Sequence, residues 1–340
     1  MASPSTIIDT DASARVAASI AVTSLGRRVP SGRGGFVHPG FWLAALYLAT
    51  ALAAGLSLDG PIATLIATIV FIGGGMPHGA YDIALLARTG RLGRHGLGLA
   101  VGGYVGIAVA MAVMWVASPL VALVLFVAVA SVHFGEDWTM IDEPMLKIAA
   151  GTAIIAAPAI GHPTEVARLF VAMVGGPGGE TVARSLIAIA PVALLVTIVG
   201  ISDAWRNGAR EWAAATAVAV LSLIIAPPVA GFALFFVFLH SPRHLADARI
   251  TLGGVSQRWW LATGAALSVA AIGGWVVFAT SVGRFLPADV TAQAFQLLAT
   301  VAVPHLAFSK WIERRLARGE RPLCSPSGVS EDLFGEVSAG

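Results

Sequence analysis

The chain has 340 residues, of which 57% are hydrophobic and only 12% are charged, and its formal net charge is +2. Soluble domains carry about 25% charged residues, so this chain has too few polar side chains to cover a water-facing surface. The composition indicates an integral membrane protein. Nucleic-acid binding has no support, because the basic residues lie at the ends of apolar segments rather than in a stripe. The single cysteine, Cys324, excludes an intramolecular disulfide and a cysteine-rich metal site.

Apolar runs long enough to cross a bilayer recur along the chain, separated by charges, Pro or Gly. They predict an all-α, polytopic helix bundle of ten transmembrane helices. Because the fifth and seventh runs are short, the predicted range is eight to ten. The ten runs cover about residues 40–58, 62–87, 97–117, 120–138, 146–160, 182–201, 212–226, 229–248, 260–282 and 290–311.

Basic residues are distributed unevenly between the two sides of this arrangement. With the N-terminus inside, all of them except Arg168, Arg184 and Arg284 fall on the inner side. The positive-inside rule therefore predicts that both termini are cytoplasmic, in a multi-pass protein of the cell (inner or plasma) membrane. Residues 1–39 lack the apolar core of a secretory signal and are predicted to be a flexible cytoplasmic lead. Residues 40–311 form the predicted transmembrane catalytic domain, and residues 312–340 form a flexible cytoplasmic tail.

Five of the eight histidines fall at one depth, near the inner ends of four different predicted spans. They are His78 in span two, His133 in span four, His240 and His244 in span eight, and His305 in span ten. A lone imidazole in a membrane is usually a helix–helix hydrogen bond, but histidines aligned at one depth predict a metal site.

Two of these histidines carry an additional signal. The four-residue spacing of His240 and His244 places both rings on one helix face. We predict His78, His133, His240 and His244 as ligands. For His305, the roles of ligand, support for a ligand and structural residue stay open. The remaining histidines lie in loops or at interfaces, where no catalytic role is expected.

The ligand type limits the metal without identifying it. Imidazole without thiolate suits Fe, Zn, Cu or Ni. Three histidines with a water would suggest hydrolytic zinc, whereas four histidines with open positions better suit a redox metal that binds dioxygen.

Two of the histidines are each followed by an aspartate at the same distance along the chain. Asp82 follows His78 by four residues, and Asp137 follows His133 by four, next to Glu136. Metal-bound imidazoles commonly have their other N–H held by a carboxylate. The spacing favours a bond to a histidine of a neighbouring helix, or a place at the inner mouth of the site. The alternative is that these acids meet water or a nearby arginine at the interface.

Prolines and aromatic residues crowd the same layer. Pro77 and Pro242 each remove a backbone hydrogen bond and kink their helix, which can aim the adjacent histidines inward. Aromatic residues in this layer are candidates for an apolar substrate tunnel, although ordinary packing is the alternative explanation. The tunnel candidates are Tyr81, Phe134, Phe235, Phe236 and Phe238.

The segments 76–82, 131–137 and 240–244, together with Pro304-His305, resemble the motifs of the Brp/Blh family of bacterial and archaeal membrane β-carotene 15,15′-dioxygenases. The resemblance covers about residues 73–311. It implies an Fe(2+) enzyme that splits the central double bond of β-carotene with O2 and gives two molecules of retinal. It also implies that His78, His133, His240 and His244 bind the iron. The expected partners are β-carotene, O2, the lipid bilayer and a rhodopsin that receives retinal.

Three other interpretations have less support in the sequence. A membrane di-iron desaturase or hydroxylase needs about eight clustered histidines with adjacent His-His pairs, and this chain contains no such pair. A transporter for a metal ion or a hydrophobic solute could use the histidines as a transit site, but no clear inverted repeat supports it. A structural partner of a rhodopsin would not require converging imidazoles.

Overall fold

A computed structural model describes residues 37–90 and 93–317, so most of the predicted lead and tail lie outside the described residues. Within these ranges every regular element is helical, which confirms the all-α bundle. The elements are α1 Pro39–Ala53, α2 Pro61–Gly75, a 3-10 segment Met76–Tyr81, α3 Asp82–Gly90, α4 Arg94–Ala117, α5 Pro119–Gly135, α6 Pro144–Gly161, α7 Pro163–Val174, α8 Gly178–Arg206, α9 Arg210–Ile225, α10 Pro228–Ala233, a π-helical segment Leu234–His240, α11 Ser241–Leu252, α12 Gln257–Val282, a 3-10 turn Gly283–Phe285 and α13 Val290–Ala317.

Each of the ten predicted spans overlaps helical residues, but α9, at the predicted seventh span, is not among the helices whose length and composition suit a membrane crossing. Seven helical stretches in the described residues are long and apolar enough to cross a membrane, namely Pro61–Arg88, Arg94–Ala117, Pro144–Gly161, Gly178–Arg206, Pro228–Leu252, Gln257–Val282 and Val290–Trp311. Two shorter apolar helices, α1 and α5, match the predicted first and fourth spans. The multi-pass architecture is thereby confirmed, whereas the cytoplasmic placement of both termini stays a prediction.

One helix was not predicted. The connector after the fifth span forms α7, which begins at Pro163 and ends where Gly175 adopts a left-handed backbone with φ of 69°. Its buried residues, Val166, Phe170 and Met173, recur at the spacing of one helix face. The apolar periodicity was present in the sequence, but the charges of Glu165 and Arg168 near these positions made the segment resemble a loop.

The second span changes its helix type next to His78. Pro77 has no N–H to continue the α-helical bonding, so α2 ends at Gly75 and the chain tightens into the 3-10 segment. Glycine is required just before this change, because a Cβ on Gly75 would overlap the ring of Phe236. This close approach brings the stretch of backbone that carries His78 against the π-helical segment.

The helix that carries His240 and His244 also changes its pattern, just before Pro242. The proline ring would meet the carbonyl group four residues earlier and offers no N–H. The N–H of Ser241 instead reaches the carbonyl of Phe236, five residues back, and the Ser241 hydroxyl donates to the same oxygen at 2.6 Å. Such π-helical turns shift the register of one part of a helix against the next and are frequent at functional sites.

Small residues form the contacts among α5, α6, α8 and α9. Alanines of α6 are fully buried between these helices; they are Ala150, Ala153, Ala156, Ala157 and Ala159. Gly151 lies so close to α5 that a Cβ there would overlap the Ser131 carbonyl. Small side chains allow helix backbones in a membrane to approach closely, so this part of the bundle is the tightly packed scaffold.

Candidate metal centre and the adjoining cavity

The structure brings the five predicted histidines into one cluster. Their nearest ring centroids, those of His240 and His244, are 4.4 Å apart. The centroid of His133 lies 4.8 Å from that of His240 and 4.9 Å from that of His305, and the His78 centroid lies 5.1 Å from that of His305. All except His244 are buried. Four separate helical segments therefore deliver imidazoles to one buried point.

Two aspartates hold histidines from neighbouring helices. Asp137 Oδ2 lies 2.8 Å from Nδ1 of His240, and Asp82 Oδ2 lies 2.7 Å from Nδ1 of His305. Neither aspartate bonds the histidine that precedes it by four residues in its own segment. The structure thus realises the cross-helix arrangement that the spacing favoured, and the carboxylate fixes the Nδ1–H tautomer of each ring.

Glu136 acts on His133 in the same way, and other polar side chains contact Glu136 and Asp82. Glu136 Oε2 lies 3.4 Å from Nδ1 of His133, and Glu136 Oε1 lies 2.6 Å from Nζ of Lys310. Asp82 also accepts a hydrogen bond of 3.3 Å from the hydroxyl of Tyr104. Sequence reasoning missed both Lys310 and Tyr104. A phenol in the middle of the apolar helix α4 is a signal that could have identified Tyr104.

His78 is held by the backbone rather than by an acid. Its Nδ1–H donates to the carbonyl of Gly75, three residues earlier in the segment that Pro77 reshapes. With the Nδ1 proton used in this way, the Nε2 lone pair of His78 is available to a ligand. The Nε2 lone pair of His305 is likewise available, since this atom is buried without a hydrogen-bond partner among the described residues.

The nitrogen positions suit a cation. Donor atoms of His78, His133 and His240 lie within 4.8 Å of one another. Nε2 of His133 is 3.0 Å from Nε2 of His240, close to the separation of about 3 Å between two nitrogens that bind one metal at about 2.1 Å and at a right angle. Because the Nδ1 atom of each ring faces a carboxylate, the two Nε2 lone pairs face each other, and a cation between them would remove their repulsion.

His244 lies directly beside His240, with 4.4 Å between their ring centroids. It belongs to a second group of possible ligands with Asp137 and His240, not to the group formed with His78 and His133. Its Nε2 lies 3.3 Å from Asp137 Oδ1, and its side chain is 25% exposed. The two rings of this pair therefore stay together, with His240 buried in the cluster and His244 partly exposed at its edge.

An apolar cavity of about 430 Å³ adjoins the cluster. His78, His133 and His305 form part of its wall, and most of the remaining lining consists of aliphatic and aromatic side chains of α4, α5, α12 and α13. Few polar groups would contact a molecule inside it, so the cavity suits an apolar ligand presented to the histidines.

The aromatic tunnel candidates divide into two groups. Phe134 and Phe236 line the cavity. Tyr81 instead stacks on Trp260 at 3.7 Å and donates to its carbonyl at 2.7 Å, and Phe235 borders a small separate cavity beside Asp137. Phe238 packs against the hydrophobic core. Tyr81, Phe235 and Phe238 thus do not belong to the lining of the cavity beside the histidines.

The fold and the site define a polytopic membrane protein with a buried histidine-rich cluster that could hold a metal ion, next to an apolar cavity. Residues 67–313 match the family described as beta-carotene 15,15′-dioxygenase, and the chain belongs to this family. This confirms the Brp/Blh resemblance and places the chain among the oxidoreductases.

Two relatives match over most of their length. The chain is 27% identical over 266 residues to the beta-carotene 15,15′-dioxygenase of an uncultured marine bacterium, 66A03, covering 73% of this chain and 93% of the relative. It is 25% identical over 315 residues to the probable beta-carotene 15,15′-dioxygenase Blh of Halobacterium salinarum, covering 80% of this chain and 91% of the relative. No solved structure matches the chain significantly.

Proposed function

We propose that this protein cleaves the central 15,15′ double bond of β-carotene with O2 and releases two molecules of all-trans-retinal. The observation that carries the proposal is the buried histidine cluster at one wall of an apolar cavity, in a chain of the beta-carotene 15,15′-dioxygenase family. Family membership favours this enzyme over the alternative of a transporter for a metal ion or a hydrophobic solute.

The proposed cofactor is Fe(2+), held by His78, His133, His240 and His244. The donor set supports this assignment, since neutral imidazoles without thiolate suit iron among other metals. Asp137 and Glu136 hold the rings of His240 and His133 from behind. When bound, the iron would supply the position at which O2 is activated toward the polyene.

The reaction balances without a further reductant. Each carbon of the central double bond receives one oxygen atom of O2, so one carbon–carbon double bond is replaced by two aldehyde carbonyl groups. The double bond supplies the four electrons that O2 accepts, and no proton is gained or lost overall. The chain therefore needs neither an organic cofactor nor an external electron donor for this step.

The chain's own residues would orient the substrate and exclude water. Phe134 and Phe236 lie beside the histidines at the cavity wall and would restrict a flat polyene to few orientations. An apolar, water-poor environment limits side reactions of activated oxygen. β-Carotene dissolves in lipid, so a site within the proposed cell-membrane location can receive it directly, and a rhodopsin in the same membrane is the proposed recipient of retinal.

The proposal is tested by expressing the full chain in cells that make β-carotene, with and without iron in the medium. We expect loss of the orange colour and iron-dependent accumulation of retinal, identified by chromatography. Unchanged β-carotene in membranes that contain the folded, iron-loaded protein would contradict the proposal. Carotenoid redistributed between membranes without any aldehyde product would favour a transporter.

A further inference from the structure

The cavity is elongated along the helices. Its lining extends over residues 101–112 of α4, 126–134 of α5, 267–278 of α12 and 297–305 of α13. At 1.5 Å of rise per residue, these stretches correspond to a length of roughly 12–17 Å. We call this space the slot.

The histidines lie at one end of the slot. His133 lies near the C-terminal end of the α5 stretch, and His305 lies at the C-terminal end of the α13 stretch. The rest of both stretches therefore extends away from the histidines in one direction. At the opposite end the lining includes Phe126, Leu297 and Phe278, and Phe278 packs against the ring of Trp275 with centroids 5.6 Å apart. The slot thus has a reactive end and an apolar end wall.

The side of the slot between α4 and α12 is thin. Val105 and Val109 of α4 line the slot and are also 53% and 55% exposed on the bundle surface, and Leu267 of α12 is 42% exposed. Gly274 of α12 also belongs to the lining, and no atom lies within 4 Å of the position that a Cβ would occupy there. A lipid-dissolved molecule could therefore pass into the slot from the bilayer at this side.

We propose that the slot holds one arm of a carotenoid lengthwise, and that its end wall sets which double bond reaches the histidines. The arm enters from the lipid between α4 and α12. This inference rests on the proposed function and deepens it, since central cleavage then follows from the depth of the slot. The substrate class is an extended polyene with an apolar end group, which matches the apolar end wall.

Two adjacent glycines of α12 provide a matched test. Gly274 lines the slot and Gly273 does not, and an added Cβ at either position meets nothing within 4 Å. In iron-loaded protein, G274F shortens the slot. We expect retinal formation to fall by roughly tenfold or more, with residual products that include aldehydes of unequal length, while G273F stays within about twofold of the wild type. Bound iron should be unchanged in both variants.

The opposite wall supplies a second pair in case G274F fails to fold. Ala108 of α4 lines the slot, whereas Ala110 is exposed and outside the lining. A108F should reproduce the loss of retinal formation and A110F should not. Wild-type rates with retinal as sole product in iron-loaded G274F or A108F would overturn the inference.

Binding separates failure of the slot from failure of the proposed function. Metal-free wild-type protein in detergent should bind β-carotene, detected by a shift in its visible absorbance, and the G274F protein should lose this binding while G273F keeps it. If the wild type binds β-carotene but never cleaves it, the proposed function fails and the slot stands. If G274F and A108F bind β-carotene as tightly as their controls, the slot is wrong.

Discussion

The two sides of the histidine cluster are built differently. On the packed side, among α5, α6, α8 and α9, glycines meet neighbouring backbone, and a Cβ at Gly151 or Gly161 would overlap a carbonyl group of another helix. On the slot side, Gly274 of α12, which lines the slot, and Gly102 of α4, which is exposed outside the lining, have no atom within 4 Å of such a position. The same residue type therefore permits close packing on one side and leaves open space on the other.

The difference in packing suggests that one side holds the histidine cluster rigidly and the other side accommodates a ligand. The packed side supports His133, near the end of α5, and Asp137, two residues beyond that end, and both contact the ring of His240. Metal ligands must be held within a few tenths of an ångström, which close-packed backbone achieves. Under the proposed function, the slot side must instead admit and release a large apolar molecule, and loose packing between α4 and α12 would allow this.

The largest expected effect is the loss of a proposed ligand that residues of the packed side hold in place. His240→Ala removes a ring that contacts both His133 and Asp137, so we expect bound iron and retinal formation to fall to background. Iron is measured by elemental analysis of the purified protein. His162→Ala is the control, because that ring lies at the α6–α7 turn, and it should keep wild-type iron. Stoichiometric iron in His240→Ala would remove His240 from the metal site.

A smaller effect is expected from the carboxylates, and it compares the two sides directly. Asp137→Asn on the packed side and Asp82→Asn beside the slot each keep the size of the side chain and remove its charge. Loss of such a supporting carboxylate typically lowers metal affinity by roughly 10- to 100-fold. We expect this loss for Asp137→Asn in an iron titration against a competing chelator.

Asp82→Asn then shows what His305 does. A comparable loss of iron affinity would make His305 a ligand, because Asp82 acts on the cluster through that ring. Unchanged iron affinity with lowered retinal formation would place His305 at the substrate instead. Wild-type affinity in Asp137→Asn would contradict the importance assigned to the packed side.

The smallest effect concerns packing alone. Gly151→Ala forces a methyl group against the Ser131 carbonyl, and such overpacking costs about 1–3 kcal/mol. Gly102→Ala places the same methyl group in open space and should cause no loss. The thermal unfolding midpoints of the two variants, measured in the same detergent, should therefore separate. Equal midpoints would show that the two sides do not differ in packing as the structure indicates.

The sequence was sufficient for much of the fold and for the membership of the cluster. Long apolar runs must be helical in a membrane because the backbone has no other way to satisfy its hydrogen bonds. Depth along each run then placed His78, His133, His240 and His305 at one level. The helix α7 was missed because Glu165 and Arg168 interrupt an otherwise apolar segment, which made it resemble a connecting loop.

The sequence by itself determined the class of fold, the depth of the histidines and, through its motifs, the family. These properties depend on composition and on position along single helices. Only the tertiary structure decided which carboxylate holds which ring, as with Asp82 and His305, and which aromatic rings face the cavity. It also showed that His240 is buried whereas the adjacent His244 is partly exposed. Such pairings depend on how helices rotate and approach one another, and close backbone contacts such as that of Gly75 with Phe236 set this rotation.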